Sequence, residues 1–72
     1  MNLYDAKQHG RFRLVSVPSI GLLKNIGLRP GTEVVVQNRF MFGGPVLLRV
    51  EDAFSVAIGK DIAVQIAVRE AA

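Results

Sequence analysis

A small, partly closed β-barrel of five short strands, with one short helix between the first and second, is the mainly β fold this chain predicts. Three observations lead there. Short runs of alternating apolar residues recur at regular spacing, separated by Gly, Pro or acidic turn residues. The segment Gly27-Leu28-Arg29-Pro30-Gly31-Thr32 ends a helix, turns a corner and opens a strand. Half of the 72 residues are hydrophobic and the mean hydropathy is +0.32. A chain this short buries only about 60% of its unfolded surface, so it needs that apolar density.

Residues 1–9 are polar with two apolar anchors, Leu3 and Tyr4, and are compatible with one helical turn. From Gly10 to Val17 the chain reads as a strand, with Phe12 and Leu14 on one side and Arg11 and Arg13 on the other. Val15 and Val17 break the alternation, which suggests that both faces are partly covered. Pro18-Ser19 stops the strand, and Ser19 is a candidate helix N-cap. Ile20, Leu23 and Ile26 then share a helical face flanked by Leu22. A helix of about two turns is unstable alone and must lie against the sheet.

Gly27, having no Cβ, closes that helix in the left-handed conformation. Leu28, five positions after Leu23, sits where a Schellman motif places an apolar residue. Pro30-Gly31 fits the centre of a type II turn: Pro fixes φ and Gly supplies a positive one. Val34 and Val36 then alternate with Glu33 in a strand that ends in Gln37-Asn38-Arg39. Gly43-Gly44 interrupts, and Pro45 starts a strand in which Val46, Leu48 and Val50 share a face while Arg49 points away. Glu51-Asp52 reads as a two-residue hairpin turn, after which Phe54, Val56 and Ile58 continue the alternation. Gly59-Lys60-Asp61 makes a break with room for one tight helical turn, and Ile66 and Val68 belong to a last strand. No repeat, low-complexity tract or linker divides residues 1–72, so the expectation is a single domain.

Composition narrows the function classes. There is no Cys, which excludes disulfides and thiolate metal sites and agrees with a cytoplasmic location. The charge-free runs Leu14 to Leu23 and Phe40 to Leu48 fall short of the roughly 18 apolar residues a membrane span requires. The N-terminus carries an early acid, Asp5, and no apolar core of a signal peptide. Nine basic against six acidic residues give +3, a mild bias whose Lys and Arg are scattered. Catalysis has no support: Ser16, Ser19 and Ser55 have no base nearby in sequence, and Gly59-Lys60 lacks the Ser or Thr of a phosphate-binding loop.

Taken together, Gly27-Leu28-x-Pro30-Gly31-Thr32-x-Val34-x-Val36, Gly43-Gly44-Pro45-Val46-x-Leu48-x-Val50, Ala57-Ile58 and Ala63-x-x-Ile66-x-Val68 resemble the FeoA family of small bacterial proteins. The resemblance covers residues 10–69 and implies an SH3-like barrel with a helix inserted between its first two strands. It also implies an accessory role in ferrous iron uptake beside FeoB, the membrane transporter with a cytosolic GTP-binding domain. A similar module ends some iron- and manganese-dependent transcriptional repressors. The resemblance implies no catalysis and no cofactor; self-association is compatible with it.

A resident iron site would need His and carboxylate ligands in a group. The chain has one His, and Asp5 and His9, four apart, would share a helix face without making a site. The more informative stretch is Phe40-Met41-Phe42. Alternation puts the two Phe on one face and Met41 on the other, at a hairpin tip. Either the Phe side chains cap the open end of the barrel, or the tip is an apolar contact surface for a partner. Phe40, Met41 and Phe42, with Leu22 and Lys24 on the exposed side of the helix, are the candidate partner-binding residues. The rival reading is a nucleic-acid-binding or metal-regulator-type SH3-like barrel. It rests on Phe12 between Arg11 and Arg13 and on Arg39 before Phe40.

Overall fold

The computed structural model describes residues 1–71. A 3-10 turn (Leu3–Asp5) precedes strand β1 (Arg11–Ser16), helix α1 (Gly21–Asn25), strands β2 (Glu33–Arg39), β3 (Val46–Val50) and β4 (Phe54–Ile58), helix α2 (Lys60–Ala63) and strand β5 (Ala67–Glu70). The five strands form one antiparallel sheet in the order β4-β3-β2-β1-β5. Two register shifts curl it into an SH3-like barrel, one between Leu14 and Ser16 against β5, the other between Val36 and Asn38 against β3. Each inserts an extra residue that increases local twist and bends its strand. The first shift accounts for the broken alternation at Val15, which the extra residue leaves facing solvent.

The core is the alternation made three-dimensional. Phe12, Leu14, Val34, Val36, Val46, Leu48, Val50, Ile58 and Val68 are all buried, and Leu3, Leu23, Leu28, Ala63 and Ile66 close the ends. The corner after α1 has the expected geometry. Gly27 has φ 87°, Leu28 N–H donates to the Leu23 carbonyl at 2.9 Å, and Gly27 N–H donates to the Lys24 carbonyl at 3.1 Å. Those two bonds make a Schellman motif, and both of its leucines are buried. Gly31 has φ 95°, and Thr32 N–H donates to the Arg29 carbonyl at 3.1 Å, closing the Pro-Gly turn. The buried Thr32 hydroxyl then donates to the Gly27 carbonyl at 2.8 Å, tying the end of the helix to the start of β2.

Several local expectations need correction. Ser19 does not cap α1: the N-cap is Ile20, with no side-chain bond, because the chain stays extended for one residue more. The helix has five residues rather than two full turns. Ile66 is buried but lies before β5, which begins at Ala67. Asp5 and His9 do not share a helix face, since the 3-10 turn ends at Asp5 and Ala6 is extended. The Glu51-Asp52 turn holds both residues at positive φ, 51° and 56°. Those are the left-handed values of a hairpin turn whose twist matches its strands.

Candidate functional site

The strand β2 ends at Arg39, and alternation ends with it. Phe40 N–H still donates to the Pro45 carbonyl at 3.0 Å, and Gly44 N–H donates to the Met41 carbonyl at 3.3 Å. Between them Phe42 has φ 59° and Gly43 φ 76°, the values of a type I′ turn. A bulky residue at positive φ is held against the steric preference of its own backbone, at a cost of about 1–2 kcal/mol. A second constraint is steric: a Cβ at Gly44 would stand 2.8 Å from the Cβ of Phe40, so the returning strand passes too close for any side chain there. Residues 41–43 are a turn and not a strand, so strand alternation does not set the faces of Phe40 and Phe42.

Nor do they cap the barrel. Phe42 is 100% exposed, Met41 77% and Phe40 46%. Three large apolar side chains, one of them on strained backbone, stand in water at the end of a rigid hairpin. Single exposed hydrophobics need no explanation, but three consecutive ones form a patch.

Cations sit beside this patch. The Cδ of Lys60 is 3.8 Å from where a Cβ on Gly43 would be, so the first residue of α2 touches the tip. Its Nζ lies 5.2 Å from the centre of the Tyr4 ring, and the Arg39 guanidinium lies 6.0 Å from the same ring. Arg39 also donates to the Ala6 carbonyl, pinning the N-terminal turn to the end of β2, while its Nε is buried without a partner. Of these three, the sequence singles out only Arg39, and only for the rival nucleic-acid reading; Tyr4 and Lys60 are not among its candidates. Positions 4, 39 and 60 are distant along the chain, and no local pattern brings them together.

The other two candidates, Leu22 and Lys24, are exposed on α1, Leu22 at 67%. Beside them runs an open groove of about 460 Å³ between the segment that leads from β1 into α1 and the corner, lined by Val17, Pro18, Ile20, Lys24, Leu28 and Arg29. The two groups of candidates flank opposite ends of β2. The helix leads into the start of β2 and the tip follows its end, seven residues or about 20 Å of strand away.

The basic residues of β1 are already engaged. Arg11 donates to Glu33 at 2.6 Å and lies 3.6 Å from Asp52, and Arg13 reaches the other Glu33 oxygen at 3.3 Å and the Gly31 carbonyl at 3.0 Å. The hydrogen bond that Arg11 donates to Glu33, with the charge of Asp52 beside it, pushes the Arg11 guanidinium above its ordinary range. Phe12 between the two arginines is buried at 2% exposure. Among the described residues, no group of three or more His, Asp or Glu is placed to hold a metal ion. No helix among the described residues is long and apolar enough to cross a membrane.

The FeoA domain model matches residues 1–70. No curated protein sequence matches the chain. Among solved structures, a crystal structure of an iron uptake regulatory protein (FeoA) superposes with a TM-score of 0.86 at 25% identity, covering 99% of this chain and 96% of that one. The solution structure of a FeoA protein from Chlorobium tepidum gives 0.89 at 22% identity, over 100% of this chain and 71% of the other. A manganese-dependent transcriptional repressor gives 0.86 at 17% identity, but the match spans only 41% of that longer chain. The last two likenesses concern the fold.

Proposed function

This chain belongs to the FeoA family, and from that premise we propose that it is a non-catalytic accessory of ferrous iron uptake that binds a FeoB-like membrane transporter on its cytosolic side. The observation that carries the proposal is the tip: Phe42 wholly exposed at φ 59°, with Met41 and Phe40 beside it. Backbone strain and exposed apolar area both lower the stability of the free protein, so the tip is maintained for something other than folding. Burying a Phe or Met side chain recovers about 1.5–3 kcal/mol each, enough to anchor a protein contact. Lys60 and Arg39 supply a cationic rim that steers an acidic partner surface toward the apolar centre. Leu22 and Lys24, about 20 Å of strand away, belong to a second contact or to none.

The nucleic-acid reading loses support on the same observations. Arg11 and Arg13 are paired with Glu33 and the Phe between them is in the core, unavailable for stacking, while Arg39 is held by the Ala6 carbonyl. The manganese-dependent repressor shares the fold over less than half its length, which supports a common module.

The test is binding of the chain to the cytosolic domain of a FeoB-type transporter, measured by calorimetry. Met41→Ser with Phe42→Ser should raise Kd roughly tenfold or more while the melt stays cooperative. Unchanged affinity in a folded double variant would exclude the tip as the anchor.

A further inference from the structure

The sheet has two edges, β4 and β5, and the chain treats them differently. The outer edge of β5 is covered by the N-terminus. Leu3 N–H donates to the Ile66 carbonyl and Val68 N–H to the Met1 carbonyl, both at 2.8 Å, and Asn2 bridges Ala67. The edge β4 has no such cover. Among the described residues, no backbone group of Phe54–Ile58 bonds to anything but its neighbour β3.

An antiparallel edge strand turns alternate N–H and C=O groups outward, and natural sheets normally blunt such an edge with charge, Pro or a bulge. This one, Phe54-Ser55-Val56-Ala57-Ile58, has no charge and no Pro, and its pairing with β3 runs without a shift over all five residues. Its core-facing row is also incomplete. Phe54 pairs with Val50 and Val56 with Leu48, yet Phe54 remains 42% exposed while Val50 is at 1%. The core side of the sheet continues to β4, and among the described residues no strand pairs beyond it.

We infer that β4 is a self-pairing edge: two copies of this chain join through antiparallel β4 strands, related by a twofold axis at Val56. The sequence of the edge selects this occupant. In that register Phe54 stands opposite Ile58 of the second copy, Val56 opposite itself, and Ser55 opposite Ala57, so all five residues pair. Each core-facing residue meets a core-facing residue, and a slip by one position would set Phe54 against Ala57. Because β5 is already covered, one free edge per chain yields a closed dimer rather than an open fibre. The strand is only five residues long, so the contact lies below the roughly 1,000 Å² of a stable interface, and association is weak and concentration-dependent.

Sedimentation of the chain up to about 1 mM tests this, since an interface that small has a Kd in the micromolar-to-millimolar range. A reversible monomer–dimer equilibrium is expected. Ser55 and Ala57 are exposed, so S55K with A57K leaves the fold intact while setting Lys against Lys across the axis. That variant should weaken the dimer roughly tenfold or more. S55K with A57E sets Lys against Glu at the same positions and should restore it. The rescue separates the edge from any general effect of substitution, and thermal melts of both variants report folding. A monomer at every concentration, or a dimer indifferent to S55K with A57K, would overturn the inference.

Discussion

Two turns bound β2, and they distribute left-handed backbone and apolar side chains in opposite ways. At the start of the strand, the positive φ values fall on Gly27 and Gly31, and the apolar residue between them, Leu28, is buried at 1%. At the end of it, a positive φ falls on Phe42, whose side chain is wholly in water. The corner satisfies every local preference at once and is tied down by Thr32. The tip violates two of them within three residues. Agreement across levels is what folding selects, and conflict that persists marks a place kept for another purpose.

The contrast makes the corner the place where substitutions should cost most. Leu28→Ala removes a buried side chain from the junction of α1 and the barrel and should lower stability by about 2–5 kcal/mol in urea melts. A loss no larger than that of a surface substitution would mean that the corner is not part of the core, and the comparison would break there.

Gly27→Ala is the smaller, sharper probe. A Cβ at Gly27 meets nothing within 4 Å, so the only penalty is the left-handed backbone itself, about 1 kcal/mol. A higher melting midpoint for the variant would contradict the Schellman geometry described above.

The smallest effect is expected on β1, whose side-chain link to the turns is Arg13 donating to the Gly31 carbonyl. Arg11→Ala with Arg13→Ala removes ion pairs whose guanidiniums are 45% and 43% exposed and whose shared Glu33 is 28% exposed, so water still screens them. Such pairs contribute little to stability and act mainly by steering. The melting midpoint should move less than for Gly27→Ala, and affinity for the transporter domain should change by less than about threefold. Strongly salt-dependent binding dominated by this pair would instead favour an anionic polymer as partner.

What could be read in the sequence divides along the same line. The corner was legible because each of its signals is local: Gly27, Leu28 and Pro30-Gly31 act over a few residues. The strands were legible because one buried face enforces alternation at Phe12, Leu14, Val34, Val36, Val46, Leu48 and Val50. Ser19 misled because a capping residue type says nothing about how long the chain stays extended after it. The tip residues could be named but not their conformation. Gly43 announces a turn, whereas nothing in the residue type of Phe42 announces a positive φ. The neighbouring Tyr4–Arg39–Lys60 group could not be read at all, because it exists only once the barrel has formed.

The most direct test of the account is Phe42→Asn, measured for stability and for transporter binding on the same preparation. Asn followed by Gly43 is the preferred pair for a type I′ turn, so the substitution relieves the left-handed strain and removes the exposed ring together. The account predicts a variant more stable by about 0.5–1 kcal/mol that binds the transporter domain less tightly. A variant that is less stable, or one that binds as well as the original chain, would contradict the claim that the tip gives up stability for contact.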